Sequence, residues 1–303
     1  MIARVLYLAG TGRSGSTLVT TALGQMDGFF AAGELRYLWQ RGLADNRPCG
    51  CGTPFRQCPM WTRVLADVPV PGGLAARLRS RLRMRHRLRV PPHPDDDAIA
   101  ALYRSIAAHT GGAVIVDSSK LPPYGVLLSR LPGVELRVLH VVRDPRAAAF
   151  SWRRRRALDA AADGRLMTRH PVWKAALLWS VWNAATLRLW GRGAYLRIRY
   201  EDLVADPARV LRAVATFAGA APDAPLPVTA DGSVALAPTH SVAGNPMRHR
   251  TGGVPVRADE EWRHAMPRRS RLVVTALTGP LLGRLGYPLR PGRVAGPAPG
   301  EAR

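Results

Sequence analysis

An apolar, strand-like segment near the start of the chain runs straight into a glycine- and serine-rich turn and then into a helix. Residues 4–9 form the segment, residues 10–17 read GTGRSGST, and helical character begins near Thr17. This arrangement gathers backbone N–H groups at the positive end of a helix dipole. The hydroxyls of Ser16 and Thr17 and the guanidinium of Arg13 add further donors. The pattern predicts a phosphate-binding loop, and its alternative is a plain tight turn between strand and helix.

The loop departs from the Walker pattern of nucleoside triphosphatases at one position. That pattern requires Gly-Lys-Ser/Thr, whereas Gly15 is followed here by Ser16. The missing lysine disfavours a triphosphatase. A P-loop kinase that phosphorylates a small molecule remains the second hypothesis, with Val116 and Asp117 as a Walker-B-like strand end and a need for Mg²⁺ and a nucleoside triphosphate.

Short β-branched runs alternate with helical stretches along the rest of the chain, which is typical of βαβ units. We expect strands over residues 113–117, 136–142 and 195–199, and helices over residues 121–131, 145–162 and 170–190. The alternation predicts an α/β fold in which helices flank a central parallel β-sheet.

A second candidate motif opens the helix that begins at Pro145. Arg143 lies at the carboxyl end of a predicted strand, where α/β proteins bind ligands, and Ser151 follows about two helical turns later. A bidentate arginine contact and a hydroxyl could together hold one phosphate. The alternative is a capped surface helix.

The two motifs together resemble those of the sulfotransferases that use 3′-phosphoadenosine 5′-phosphosulfate (PAPS). Residues 12–17 resemble their 5′-phosphosulfate loop, and the spacing of Arg143 and Ser151 resembles their 3′-phosphate motif. The segments YEDL at 200–203, RHRTG at 248–252 and EEWR at 260–263 are similar to segments of bacterial members. The resemblance spans residues 4–285. It implies a P-loop-like fold and metal-independent transfer of a sulfuryl group from the co-substrate PAPS to a hydroxyl of a small-molecule, lipid or saccharide acceptor.

The resemblance assigns binding roles residue by residue. The 5′-phosphosulfate would be held by five loop residues, Arg13, Ser14, Gly15, Ser16 and Thr17. The 3′-phosphate would be held by Arg143 and Ser151. Residues Arg250, Thr251 and Gly252 resemble an Arg-Lys-Gly loop that closes on the same phosphate, with Thr251 in place of the lysine and Arg248 as its candidate substitute.

Sulfuryl transfer moves negative charge onto the bridging oxygen of the leaving nucleotide, so fixed cations beside that oxygen stabilise the transition state. Arg13 is one candidate, and Lys120 in the segment DSSK is another, with a solvated lysine at a helix start as its alternative. The acceptor hydroxyl needs a base. Glu34 resembles the Gly-Glu base of tyrosylprotein and some bacterial sulfotransferases; its alternative is an ordinary carboxylate near a helix N-terminus.

The three cysteines, Cys49, Cys51 and Cys58, lie in one Pro/Gly-rich loop. They are too few for a disulfide scaffold in a chain of this length. Three thiolates could bind zinc, but a closed structural site uses four ligands and the spacing offers no fourth. We therefore expect no metal, and a structural or redox-sensitive loop. Similar Cys-x-Cys loops occur in bacterial relatives of the family.

Arginine dominates the charge: 44 Lys and Arg against 21 Asp and Glu give a formal net charge of +23. Such a field attracts any anionic partner, but no nucleic-acid-reading motif is present, so we expect no nucleic acid partner. Arginine occupies every odd position from 77 to 89. This run indicates a solvated helix lining an acceptor-side lobe. The alternative is a helix that associates weakly with an anionic membrane surface.

The domain organisation follows from the same segments. We expect a single sulfotransferase domain over residues 1–290, with a helical acceptor-side insertion around residues 43–110 and a disordered tail over residues 291–303. No signal-peptide layout and no apolar run of about 20 residues are seen, which predicts a cytoplasmic protein.

Overall fold

The computed structural model describes residues 2–82, 88, 90–154 and 168–290. Five strands form the main sheet: β1 (Ala3–Gly10), β2 (Phe29–Gly33), β3 (Val114–Lys120), β4 (Val134–Val142) and β5 (Tyr195–Arg199). All their pairings are parallel, in the order β2-β3-β1-β4-β5. A small antiparallel pair joins β6 (Val234–Leu236) to β7 (Gly252–Val254). The predicted α/β fold with a central parallel sheet is confirmed.

Helices cover both faces of the sheet. The α-helices of the described residues are α1 (Ser16–Leu23), α2 (Pro59–Ala66), α3 (Leu74–Arg81), α4 (Asp95–His109), α5 (Pro122–Leu128), α6 (Pro145–Arg153), α7 (Val172–Trp190), α8 (Tyr200–Ala205), α9 (Pro207–Ala218), α10 (Trp262–Ala265) and α11 (Arg268–Leu282). Short 3-10 segments span Leu35–Tyr37, Phe55–Gln57, Pro246–His249 and Gly283–Leu285, and a π-helix spans Leu38–Ala44.

The central strand β1 shows why both faces of the sheet are apolar. Its side chains alternate: Val5 and Tyr7 enter a core shared with α2, α4 and α5, while Leu6 and Leu8 enter a core shared with α1 and α9. A parallel strand that is covered on both faces reads as a continuous apolar run in the sequence. The same burial fixes where the carboxyl end of β1 meets the glycine-rich turn.

The predicted helical stretches can be compared with those observed. Residues 35–44, after Glu34, form a 3-10 turn followed by the π-helix. The arginine run, expected on a solvated helix, begins on α3, and residues 83–87 and 89 lie outside the described residues. The helix expected over 145–162 is observed as α6, and residues 155–167 lie outside the described part of the chain, as does the predicted tail over 291–303.

Strand β6 was not predicted by the sequence analysis. Its three residues are too few to show a period-two pattern. Its partner β7 comes sixteen residues later in the chain, and their pairing register, Val234 with Val254, is set by the fold. Sequence patterning therefore gave no signal for this pair.

The arginine run is engaged within the protein where the structure describes it. Arg77 binds Asp95 through two nitrogens at 2.9 and 2.7 Å, and Arg81 pairs with Asp96 at 2.8 Å. These contacts hold α3 against the start of α4. Within the described ranges, no helix is both long enough and apolar enough to cross a membrane.

Candidate active site

The carboxyl ends of β1, β2, β3 and β4 open into one cleft of about 870 Å³. Ligands of α/β proteins bind at this edge of a parallel sheet. The cleft is lined by most of the predicted site residues, namely Arg13, Gly15, Ser16, Thr17, Glu34, Lys120, Arg143, Ser151 and Arg250. Segments that lie far apart in the sequence therefore contribute to a single site.

The glycine-rich turn is shaped by two aromatic rings. A Cβ at Gly12 would stand 2.6 Å from the Trp152 ring, and one at Gly15 would stand 2.5 Å from the Tyr200 ring. Gly15 also has a φ of 85°, which favours glycine, and it caps α1 without a side chain. The first N–H groups of a helix have no partner inside it. The turn thus offers backbone donors to an anion, with close aromatic walls.

Arg13 and Ser14 occupy different parts of this turn. The Arg13 guanidinium lies 5.0 Å from the ring centroid of Trp152, at the cleft. Ser14 is buried, and its hydroxyl lies 3.2 Å from that of Thr11 inside the loop. Arg13 is therefore placed to meet a ligand, while the Ser14 side chain supports the shape of the turn.

Arg143 joins the second motif to the first. Its Nη1 donates to the Arg13 carbonyl at 3.1 Å, its Nη2 lies 3.1 Å from Oδ2 of Asp259, and its guanidinium lies 4.4 Å from the ring centroid of Tyr200. Its buried Nε has no hydrogen-bond partner among the described residues. The Arg143 carbonyl accepts from the indole N–H of Trp179 at 2.9 Å, which fixes the backbone at this point.

Asp144 caps the start of helix α6. Its carboxylate accepts from the backbone N–H of Arg146 at 2.8 Å and from the Arg146 guanidinium at 2.9 and 2.7 Å. Its own N–H donates to Glu201 at 3.0 Å. The cap and Pro145 set the direction of α6, which carries the buried Ser151 to the cleft.

Glu34 and Lys120 form an ion pair in the same cleft. The Lys120 ammonium lies 2.9 Å from Oε1 of Glu34 and donates to the Ser118 carbonyl at 2.5 Å. Burial by itself raises the pKa of Glu34, but Lys120, followed by Arg36 and Arg41, outweighs burial, so the pKa is lowered overall. Glu34 is therefore ionised at neutral pH.

The end of β3 is held by a buried network that positions Lys120. Asp117 accepts from the backbone N–H and the hydroxyl of Ser119 at 2.8 and 2.6 Å, and from the hydroxyl of Tyr103 at 2.5 Å. Ser119 in turn accepts from the backbone N–H of Arg36 at 3.1 Å, which ties β3 to the residues after Glu34. Burial raises the pKa of Asp117 to about 6.

Only some residues of the predicted closing loop, residues 248–252, line the cleft. Arg250 lines the cleft. Arg248 is buried elsewhere, and its guanidinium donates to the carbonyls of Ser241 and Pro48 at 2.7 and 2.8 Å. Thr251 and Gly252 are exposed and do not line the cleft. Arg248 is thus engaged by two backbone carbonyls, and its expected contact with the nucleotide stays a prediction.

Several cleft residues were not found from the sequence. Asp259 binds Arg154 through both carboxylate oxygens at 2.8 Å, in addition to its contact with Arg143. Burial by itself raises the pKa of Asp259, but these arginines lower it overall. Trp152 supplies one aromatic wall, and Tyr200, the first residue of the YEDL segment noted in the sequence, supplies the other. Asp259 lies in an irregular segment between β7 and α10, so no periodic pattern marked it.

The donor set fits a multiply charged anion. The turn presents backbone N–H groups between the Trp152 and Tyr200 rings, which leave no room for a Cβ at Gly12 or Gly15. The buried guanidinium of Arg143, with its unpartnered Nε, lies beside this turn. Asp259 already places one anionic group between Arg143 and Arg154. Carboxylate and phosphate are recognised by the same planar arginine geometry.

Comparisons with known proteins agree with this geometry. A model of the sulfotransferase family matches residues 6–223. Human carbohydrate sulfotransferase 5 is 30% identical over 182 residues, and human carbohydrate sulfotransferase 2 is 31% identical over 153 residues. The aligned parts are 52% and 39% of this chain, and they span only 41% and 28% of the two human proteins.

Two solved sulfotransferase domains share the fold. The domain of the Synechococcus PCC 7002 olefin synthase is 22% identical, with a TM-score of 0.53 and coverage of 92% of this chain and 94% of that domain. The domain of the curacin biosynthetic pathway is 18% identical, with a TM-score of 0.57 and coverage of 96% and 99%. The kinase alternative finds no support in these comparisons. The family match over residues 6–223 confirms the predicted resemblance, and this chain belongs to the sulfotransferase family.

Proposed function

We propose that this protein transfers a sulfuryl group from PAPS, the co-substrate of the family, to a hydroxyl of an acceptor. The observation that carries the proposal is the contact between Arg143 Nη1 and the Arg13 carbonyl at 3.1 Å, which brings two anion-binding motifs together in one cleft. The ion pair of Glu34 and Lys120 lines the same cleft. One multiply charged nucleotide beside a carboxylate is the arrangement that this chemistry requires.

The two motifs divide the charges of the donor between them. The turn at residues 12–17 binds the 5′-phosphosulfate through backbone N–H groups, the hydroxyls of Ser16 and Thr17, and Arg13. Arg143 and Ser151 bind the 3′-phosphate, and Arg250 adds positive charge at the cleft wall. A phosphate on Arg143 competes with Asp259 for the guanidinium, so we expect the carboxylate to withdraw when nucleotide binds.

Cations beside the leaving oxygen supply the electrostatic part of catalysis. As the bond between sulfur and the bridging oxygen breaks, a bond forms from the acceptor oxygen to sulfur, and the hydroxyl proton passes to Glu34. Arg13 and Lys120 stabilise the charge that collects on the bridging oxygen. The two residues act from different strand ends, β1 and β3, that are neighbours in the sheet.

The ion pair gives Glu34 a variable basicity. While the Lys120 ammonium is 2.9 Å away, it stabilises the carboxylate and makes it a weaker base. When charge develops on the leaving oxygen, the ammonium is attracted toward that oxygen and away from Glu34. The carboxylate then loses the nearest charge that lowers its pKa, so Glu34 becomes a stronger base as the proton arrives. The pair therefore couples loss of the leaving group to activation of the acceptor.

The acceptor class to test first is a saccharide hydroxyl, because both human relatives are named carbohydrate sulfotransferases. Lipid and small-molecule hydroxyls are the other classes. Incubation of the purified protein with ³⁵S-labelled PAPS and members of each class, followed by mass spectrometry of labelled products, should give transfer to one class. Stabilisation by ATP–Mg²⁺ without any stabilisation by PAPS would reverse the proposal in favour of a kinase.

Glu34→Gln separates binding from turnover. We expect the variant to bind adenosine 3′,5′-bisphosphate (PAP) as tightly as the wild type and to lose turnover by about 10²–10⁴-fold, the usual contribution of a general base. Glu135→Gln, at an exposed position near the start of β4, is the matched control and should leave turnover unchanged. Wild-type turnover in Glu34→Gln would remove Glu34 as the base.

A further inference from the structure

Four potential metal ligands meet beside the cleft. The side chains of Cys49, Cys51, Cys58 and His240 each offer one donor atom, and these atoms all lie within 4.8 Å of one another. The Sγ atoms of Cys51 and Cys58 are 3.7 Å apart, and Sγ of Cys58 lies 3.3 Å from Nδ1 of His240. The histidine is separated from the cysteine loop by about 180 residues of sequence, so spacing alone did not reveal it.

Two of these separations are close to the edges of a tetrahedral zinc site. With Zn–S near 2.3 Å and Zn–N near 2.0–2.1 Å, tetrahedral angles place two sulfurs about 3.8 Å apart and a sulfur and a nitrogen about 3.5 Å apart. The two observed distances are close to these values. All three cysteines are free thiols. Three sulfurs and one imidazole are a ligand set that zinc uses in structural sites.

The backbone holds the loop in this geometry. The Cys49 N–H donates to the Thr53 carbonyl at 2.8 Å, which closes a tight turn around Cys51. The Gly50 N–H donates to the Ser241 carbonyl at 2.9 Å, and a Cβ at Gly50 would stand 2.5 Å from the Ser241 hydroxyl. Glycine at this position therefore permits the close approach of the loop to the segment that carries His240.

Two side chains reinforce the same junction. The indole N–H of Trp61 donates to the His240 carbonyl at 2.8 Å, and the Arg248 guanidinium bridges the carbonyls of Ser241 and Pro48. Cys49 and Cys58 are fully buried. The four donors are therefore fixed in position by surrounding contacts, as outer contacts fix the ligands of metal sites.

We propose that Cys49, Cys51, Cys58 and His240 bind one zinc ion in a closed structural site. Four protein ligands leave no open coordination position, so the ion is not a catalytic centre. The inference does not depend on the sulfotransferase activity, since it rests on ligand geometry outside the cleft.

The site would fix one wall of the cleft. Two residues after His240, the N–H of Val242 donates to the Ala32 carbonyl at 2.9 Å, next to the end of β2. A Cβ at Gly244 would stand 3.9 Å from Oε1 of Glu34, and residues 244–247 and Arg250 line the cleft. Zinc would thus anchor the segment that borders Glu34 to the loop over residues 46–58.

The first test measures metal in the full-length protein, purified under reducing conditions without chelator. Elemental analysis should give about one zinc per chain. The metal-free protein, titrated with Co²⁺, should develop the thiolate-to-cobalt charge-transfer bands and the intense visible bands of a tetrahedral site. Iron in place of zinc, or a reduced protein that takes up neither Zn²⁺ nor Co²⁺, would overturn the proposal.

Variants then assign the ligands. Cys51→Ser and His240→Gln should each weaken Co²⁺ binding by more than about 10-fold and change the charge-transfer bands, whereas His264→Gln, at an exposed position, should change neither. Because a ligand variant can fail to fold, thiol alkylation of the wild type provides an independent measurement. Bound Zn²⁺ should protect all three thiols until a chelator is added. Unprotected thiols in the zinc-loaded protein, or Co²⁺ binding unaffected by both ligand substitutions, would contradict the site.

Discussion

The substitution Arg143→Ala tests whether the motif of Arg143 and Ser151 binds the 3′-phosphate of the nucleotide or only supports the glycine-rich turn. The Arg143 side chain is 7% exposed, donates to the Arg13 carbonyl and pairs with Asp259. A ligand phosphate at this point would meet a guanidinium that is already removed from water. PAP carries a 3′-phosphate and AMP does not, so the pair of ligands separates the two roles of the side chain.

The magnitude follows from these contacts. A hydrogen bond to a charged group contributes about 1.5–3 kcal/mol, and a bidentate contact contains two. Part of this gain is offset because the phosphate displaces Asp259 from Arg143. We therefore expect Arg143→Ala to weaken PAP binding by about 3 kcal/mol, or roughly 150-fold. AMP has no 3′-phosphate, so its binding should weaken only because the Arg13 carbonyl loses its hydrogen bond from Arg143, by about 1 kcal/mol or roughly 5-fold.

Isothermal titration calorimetry at fixed ionic strength measures both affinities in each protein. Arg137→Ala is the matched control, because Arg137 lies on β4, the strand that Arg143 follows, but binds the Phe217 carbonyl, away from the cleft. Arg143→Lys should recover only part of the loss, since lysine lacks the planar fork. Equal losses for PAP and AMP in Arg143→Ala would refute the 3′-phosphate assignment, and so would an unchanged PAP affinity in a folded variant.

Three further substitutions test other parts of the structure. Gly15→Ala should lower both stability and PAP affinity, because it combines strain of about 1–2 kcal/mol at positive φ with a contact of 2.5 Å to the Tyr200 ring. Gly111→Ala is its control, since Gly111 has a φ of 63° and open space around it. This control should lower stability through the strain alone and leave the PAP affinity measured by calorimetry unchanged. Asp259→Asn should tighten PAP binding several-fold by freeing Arg143, and weaker binding would show that the carboxylate instead orients the guanidinium. Burial lowers the pKa of His140 from 6.5 to about 4, so the unfolded chain takes up the proton first and stability should fall as pH drops from about 6.5 to 4, by roughly 3 kcal/mol. Denaturant unfolding across this pH range measures the free energy of unfolding, which should fall less in His140→Gln than in the wild type. The same dependence of that free energy on pH in both proteins would contradict the assigned pKa.

Local signals in the sequence were enough to predict the loop and the sheet. A strand, a glycine-rich turn and a helix are adjacent in the chain, so residues 10–17 carry their own geometry. The same holds for Arg143, which directly precedes the N-cap of α6, and Ser151, which lies within that helix. The short β6 and the irregular segment that carries Asp259 have no such local pattern, and neither was predicted.

What the sequence by itself determined is therefore the α/β class, the family resemblance and the identity of the charged and glycine residues at the strand ends. The tertiary structure alone decided which of those residues meet. Strand order places β1 between β3 and β4, which brings Arg13 to Arg143, and places β2 beside β3, which brings Glu34 to Lys120. It also carries His240 to the cysteine loop. Such contacts depend on packing between distant segments, which no local pattern of apolar and polar residues specifies.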